Sequence, residues 1–218
     1  KRSFEDEIAG AEFDHDRFVV FTNRGGWFAY FGSLPYGSPL FTLADYQSYV
    51  GRLESFAAVN QQGVARSREA VARVLTQACE PMQGLEDRIA SMIVEDPVES
   101  PLWLPFKERP STISEAQWTQ LQARARTALE TGVMPAYRDF RDFYVEEYAP
   151  ECRTGMPGVL ATPRGEEYYA YRVKSFTTTD MTPDQIHQLG LSEVARIRAE
   201  METVAEDAGF ESREAFIE

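Results

Sequence analysis

The chain is poor in the side chains that most often build a metal or nucleophile centre. Its 218 residues hold two histidines, His15 and His187, and two cysteines, Cys79 and Cys152. A zinc site needs three or four His, Cys, Asp or Glu ligands at suitable spacing. Asp14-His15-Asp16 groups the right residue types, but three adjacent side chains rarely aim at one ion, so His15 reads as structural or superficial. His187 is followed by Gln188 and Leu191, where a His-Glu-x-x-His helix requires Glu and a second His. It reads first as a packing or hydrogen-bonding residue and second as one that lines a site. Two cysteines are too few for a disulfide scaffold, and their spacing is not that of a zinc ribbon or a redox pair. They could bridge; the default expectation is two independent thiols acting as small buried apolar groups.

Other absences narrow the function classes. Gly-x-Ser-x-Gly, P-loop and dinucleotide fingerprints do not occur, and Gly155-Met156-Pro157-Gly158 is merely a turn. Apolar runs are short, as in Phe18-Val19-Val20-Phe21, far from the ~20 residues a spanning helix needs. No membrane span is expected in this segment, and no signal-peptide pattern is visible. Basic charge is scarce, with 22 Lys+Arg against 35 Asp+Glu and a net charge of -13. That balance argues against a nucleic-acid partner and against an anionic membrane surface. It fits a solvated acidic surface. The adjacent pairs Glu146-Glu147 and Glu166-Glu167 diverge on a helix, so they read as solvated faces and not as acid–base pairs.

What remains is mostly helical. Residues 1–41 read as irregular, with a possible strand at 17–21, a turn at 23–26 and a loop over 32–39. Their aromatic residues (Trp27, Phe28, Tyr30, Phe31, Tyr36) should pack over a helical body. From Thr42, a cap with Asp45 at the third helical position, Tyr46, Val50, Leu53 and Phe56 form a stripe. Helical pattern resumes at Ser67, is interrupted at Pro81 and Gly84, and continues through Leu85, Ile89, Met92 and Ile93. Four prolines in 96–111 deny a helix there, and Leu102, Trp103, Leu104 and Phe106 pin that loop to the surface. Ser114 to Gln117 is a capping box. The helix after it should bend or break at Gly132 and Pro135 before a second stretch over 134–148. Residues 150–165 form a loop, and 168–176, rich in β-formers, is the best strand candidate. Thr182, Pro183 and Gln185 open a last helix over 182–208, with a stripe of Ile186, Leu189, Val194, Ile197, Met201 and Val204. The fold class is therefore mainly α: one bundle-like domain segment, 1–218, with a short β element near 17–21 and 168–176. Lys1 in place of a methionine, and an end at Glu218 without a stop signal, read as boundaries inside a longer chain.

Gly165-x-x-Tyr168-Tyr169, with Thr177-Thr178-Thr179-Asp180-x-Thr182-Pro183-x-x-Ile186-His187-x-Leu189-Gly190-Leu191-x-Glu193-Val194 and Arg196-Ile197 after it, resembles the bacterial domain of unknown function 885 family. Asp45-Tyr46, Arg52-Leu53, Pro135-Ala136-Tyr137 and Glu147-Tyr148 extend the resemblance upstream. It implies a mainly helical relative of gluzincin-type zinc peptidases, some of which carry lipoprotein signals, with a zinc helix downstream of Glu218. It implies zinc in the full-length parent and none in this chain, and it places no catalytic or metal residue here. Tyr168 to Thr179 would line one cleft wall. The candidate substrate-binding residues are thus Tyr168, Tyr169, Tyr171, Thr178 and His187, facing a peptide-like substrate, with the rest of the same chain as partner. Both a cell-envelope and a cytoplasmic location fit. The alternative is a non-catalytic helical interaction or structural domain.

Overall fold

The structure is a computed structural model that describes residues 2–155 and 158–217, without the side chains of residues 2 and 3. The expected turn at Gly155–Gly158 falls in part on Met156 and Pro157, outside the described residues. Eleven α-helices are described: α1 (Arg2–Gly10), α2 (His15–Phe18), α3 (Trp27–Gly32), α4 (Leu34–Gly37), α5 (Leu43–Ala72), α6 (Leu85–Ala90), α7 (Glu115–Ala128), α8 (Met134–Phe143), α9 (Gly165–Thr177), α10 (Pro183–Asp207) and α11 (Arg213–Ile217). The residues cluster into two compact units, Gly10–Gly165 and Lys1–Ala9 with Glu166–Glu218.

The larger unit is built on α5. Thr42 caps it through the reciprocal bonds of a capping box with Asp45, so two orphan amides at its start are satisfied. At 30 residues it is about 45 Å long, given 1.5 Å per residue. Its buried residues, Tyr46, Tyr49, Val50, Leu53, Phe56, Asn60, Gly63, Val64, Ser67 and Ala70, recur at three and four and form one stripe. That stripe meets α7, α8 and the turn between them. Leu53, Phe56, Tyr137 and Phe140 have no exposed surface, and full burial of such side chains stabilises by roughly 1.5–3 kcal/mol each. Phe56 stacks between Phe31 and Tyr137, at 4.0 and 4.9 Å.

Two interruptions expected from the sequence are absorbed without leaving the helix. Chain 43–72 is one helix, not two, because Gly63 lets it pass against the Trp27 ring. A Cβ there would lie 2.5 Å from the indole. Gly132 and Pro135 do not break the α7–α8 run either. Leu129–Val133 widens into a π turn, which accommodates the bond that Pro135 cannot donate. A second π turn covers Tyr144–Tyr148.

The β element is a correction. Residues 168–176 lie in α9, where Arg172 reaches Tyr168 on one side and Phe176 on the other, at 5.8 and 4.7 Å from the ring centroids. Those are helical four-residue partners, and the partial alternation of the stretch does not outweigh them. Residues 15–18 form α2, and Phe21 makes only an isolated bridge to Gly26 across a tight turn. No sheet occurs among the described residues. The cysteines are a second correction: Cys79 and Cys152 form a disulfide. They lie 73 positions apart, for which chain-entropy arguments give about 4 kcal/mol of stabilisation.

In the smaller unit, Thr182 and Gln185 form the expected capping box at the start of α10. Gly209, at φ 85°, ends it, with the Phe210 N–H reaching back to the Ala205 carbonyl. Leu189, Val194, Ile197, Met201 and Val204 on α10 each expose at least 39% of their surface.

Two stability outcomes follow from α5. Gly63→Ala pushes a methyl into the Trp27 ring and should cost about 1–3 kcal/mol, as overpacking does. Val74 holds a left-handed conformation, φ 58°, in the motif that ends α5, where Leu75 N–H bonds the Ala70 carbonyl at 2.8 Å. Val74→Gly should relieve that strain and raise stability by about 1 kcal/mol. Urea unfolding midpoints of the two variants should move in opposite directions.

Candidate functional site

One cleft of the larger unit, about 410 Å³, lies between α5 and the second half of the α7–α8 run. Asn60, Gln61, Val64 and Arg68 line it from α5, and Asp139, Asp142, Phe143, Glu146 and Glu147 from the other side. Arg68 grips Glu147 with two bonds, 2.7 Å from Nε and 2.6 Å from Nη2, and lies over the Phe143 ring. The bidentate bonds hold the Glu147 carboxyl below the usual carboxylate range and raise the Arg68 guanidinium. Arg141 lies 3.3 Å from Asp142. Of the four carboxylates that line the cleft, Glu147 and Asp142 are thus paired with arginines, and Asp139 and Glu146 add negative charge beside them. Asp139, Asp142 and Glu146 recur at three and four residues, the spacing of one helix face. That signal was available in the sequence; a search confined to adjacent carboxylates passes over it.

The residues singled out from the sequence all fall in the smaller unit. Tyr168 is buried and its ring lies 6.1 Å from that of Tyr171. The Tyr171 hydroxyl donates to the Asp6 carbonyl at 2.9 Å, so that tip is engaged in tying α9 to α1. Tyr169 is one position round the helix and 41% exposed. Thr178 sits at the end of α9 in a left-handed conformation, φ 61°, and its N–H caps the Lys174 carbonyl. His187 is exposed on α10. The structure thus brings Tyr168 and Tyr171 together and leaves Tyr169, Thr178 and His187 as exposed positions on the same unit.

His15 is structural, as its sequence context suggested. It is 5% exposed, and Nε2 lies 2.6 Å from the Thr162 hydroxyl. That hydroxyl donates its one proton to the Val159 carbonyl, because a carbonyl can only accept. Nε2 must then be the donor, so neutral His15 carries its proton on Nε2. Burial lowers its pKa, against Asp16 and Asp14, which raise it, and with Arg153 and Arg164, which lower it further.

Zinc does not fit these residues. No group of three or more His, Cys, Asp or Glu able to hold a metal ion occurs among the described residues. No described helix is long and apolar enough to cross a membrane.

Comparison with known proteins agrees with the helical architecture. The profile of the family described as bacterial protein of unknown function, DUF885, matches residues 1–218. No curated protein matches. A solved structure, the putative lipoprotein from Colwellia psychrerythraea, is similar at 23% identity with a TM-score of 0.77. The similarity covers 88% of this chain and 33% of that one. At that identity the likeness concerns the fold, and this chain spans about a third of the neighbour's length.

The His15 geometry sets a pH dependence. Its folded pKa lies below the unfolded value, near 6.5, so on acidification the unfolded chain takes up a proton first. Stability should fall as the pH drops through about 6.5 and level off below the folded pKa. Gln in place of His15 keeps a donor near Nε2 and removes the titration. The stability difference between wild type and His15→Gln, followed by urea unfolding from pH 7.5 to 5, should therefore shift against the wild type as the pH falls.

Proposed function

This chain belongs to the DUF885 family of bacterial proteins, and from that premise we propose that it is the helical, non-catalytic portion of a zinc-dependent peptidase. In this reading it supplies scaffold and one wall of a substrate cleft, while the zinc ligands and the catalytic base lie outside these 218 residues. The supporting observation is the apolar stripe of α10. Leu189, Val194, Ile197, Met201 and Val204 remain open to solvent on a well-capped helix, and a contiguous apolar stripe of this kind marks a surface that another part of a protein covers. The length of the neighbouring fold, three times that of the match, supports the same reading. Tyr169, Thr178 and His187 are the candidates to touch a peptide, because Tyr168 and Tyr171 are committed to packing and to Asp6.

A second reading is a non-catalytic structural or interaction domain. The observation that favours it is the closed core of the larger unit, in which Phe56, Tyr137, Phe140 and Leu129 are fully enclosed without any further segment.

The test uses the product of the complete gene beside residues 1–218 alone, each incubated with a mixed pool of quenched fluorescent peptides. The complete protein should cleave, should stop when chelated and should resume on zinc addition, whereas residues 1–218 alone should be inactive. Tyr169→Ala in the complete protein should raise KM roughly 5-fold with kcat retained, which corresponds to about 1 kcal/mol of ground-state binding. A complete protein that is folded, zinc-loaded and inert toward every peptide leaves the structural reading; activity in residues 1–218 alone sinks the division of labour proposed.

A further inference from the structure

The segments that carry Cys79 and Cys152 are joined by more than their sulfurs. Cys79 N–H donates to the Arg153 carbonyl and Arg153 N–H to the Gln77 carbonyl, both at 2.9 Å, which makes a single parallel bridge between Ala78 and Arg153. The Thr76 hydroxyl donates to the Glu151 carbonyl at 2.6 Å. The Arg153 guanidinium returns a bond to the Thr76 carbonyl at 2.7 Å, and Gln77 N–H donates to the Tyr148 hydroxyl at 2.9 Å. This zip sets the two Cα atoms 5.1 Å apart, inside the window of roughly 4.4–6.8 Å that a disulfide requires. Within these 218 residues the pair has no rival partner, because they hold no other cysteine. A separation of 73 positions is unlike the close Cys-x-x-Cys spacing of redox catalysts. Among the described residues no third ligand makes the pair a metal site.

From this we infer that Cys79–Cys152 is a structural disulfide installed by a thiol–disulfide oxidant, and that the protein reaches its folded state outside the reducing cytoplasm. Structural disulfides form and persist in oxidising compartments and are rare where thiol reductants circulate. One cysteine thiolate attacks the oxidant's disulfide and forms a mixed disulfide, and the second displaces the oxidant. Two electrons pass from the Cys79–Cys152 pair, the new sulfur–sulfur bond forms, and both thiol protons end on the two sulfurs of the departing dithiol. Backbone bonds position the sulfurs, so the oxidant supplies electrons' destination and no template.

Thiol trapping in living cells tests it. Bacteria expressing the complete gene are quenched in acid, labelled with a maleimide polymer before or after reduction, and blotted, with a Cys79→Ser, Cys152→Ser double variant fixing the background from any other cysteine. Wild type should gain two labels over that background only after reduction, and Cys79→Ser should gain one label without it. Deleting the cell-envelope thiol oxidase should expose both wild-type thiols. Two labels on untreated wild type in oxidase-competent cells would overturn the inference, as would a pair that stays oxidised in cells whose export machinery is blocked. Should the single variant fail to accumulate, the wild-type comparison before and after reduction still decides.

Discussion

One buried amide fixes the geometry of the larger unit. Asn60, 1% exposed, accepts the indole N–H of Trp27 at 3.0 Å and donates to the Ala136 carbonyl at 2.9 Å. It therefore joins α3, α5 and α8 through directional bonds. Breaking either bond would leave a buried polar group unsatisfied, at a cost of about 1–3 kcal/mol. Gly63, one turn along, is the steric counterpart, since it clears the space that the same indole fills. Around this lock the aromatic rings fall into place. Phe21, Trp27 and Phe28 all meet Phe140, at 5.5, 4.8 and 5.0 Å. Tyr137 reaches back to the Phe28 carbonyl.

The chain beyond α8 is closed differently. There the π turn at Tyr144–Tyr148 leads into the disulfide-linked zip, and Tyr148 contributes a ring against Phe21 and a hydroxyl to Gln77. Phe21, which meets both Phe140 and Tyr148, joins the aromatic cluster to this covalently closed region. Tyr49 performs a similar service for the proline-rich loop, since its hydroxyl donates to the Leu102 carbonyl.

Much of this was legible. The caps at Thr42, Ser114 and Thr182 were readable because a capping box is local chemistry, written in residues three apart. The proline-rich segment was readable in part: its apolar residues do anchor it, with Leu102 and Phe106 in the core, but Pro97–Glu99 and Pro101–Phe106 wind into short 3-10 helices where a loop was expected, because that tighter turn tolerates proline at its start. The failures share a cause. The composition of Tyr168–Phe176 points to a strand, although its side-chain partners lie four residues apart, as on a helix. Gly132 and Pro135 suggest a bend or a break because single-residue propensity does not register the π turn at Leu129–Val133 that absorbs them. The disulfide, 73 positions apart, depends on the path of two long helices and leaves no local trace. The acidic cleft was half legible: its three- and four-residue carboxylate spacing is in the sequence, but its other wall is Arg68 on α5, 79 positions from its partner Glu147.

The carboxylates of that cleft also set a length scale. At physiological ionic strength electrostatic fields are screened over about 8 Å, less than the width of one helix with its side chains. Arg68 already cancels Glu147 at contact. Arg141 does the same for Asp142, and the remaining field of Asp139 and Glu146 is a short-range property of the groove mouth, weak for a solute approaching from bulk. A positive charge would have to arrive there by other means, carried in on a neighbouring surface, before this groove could hold it.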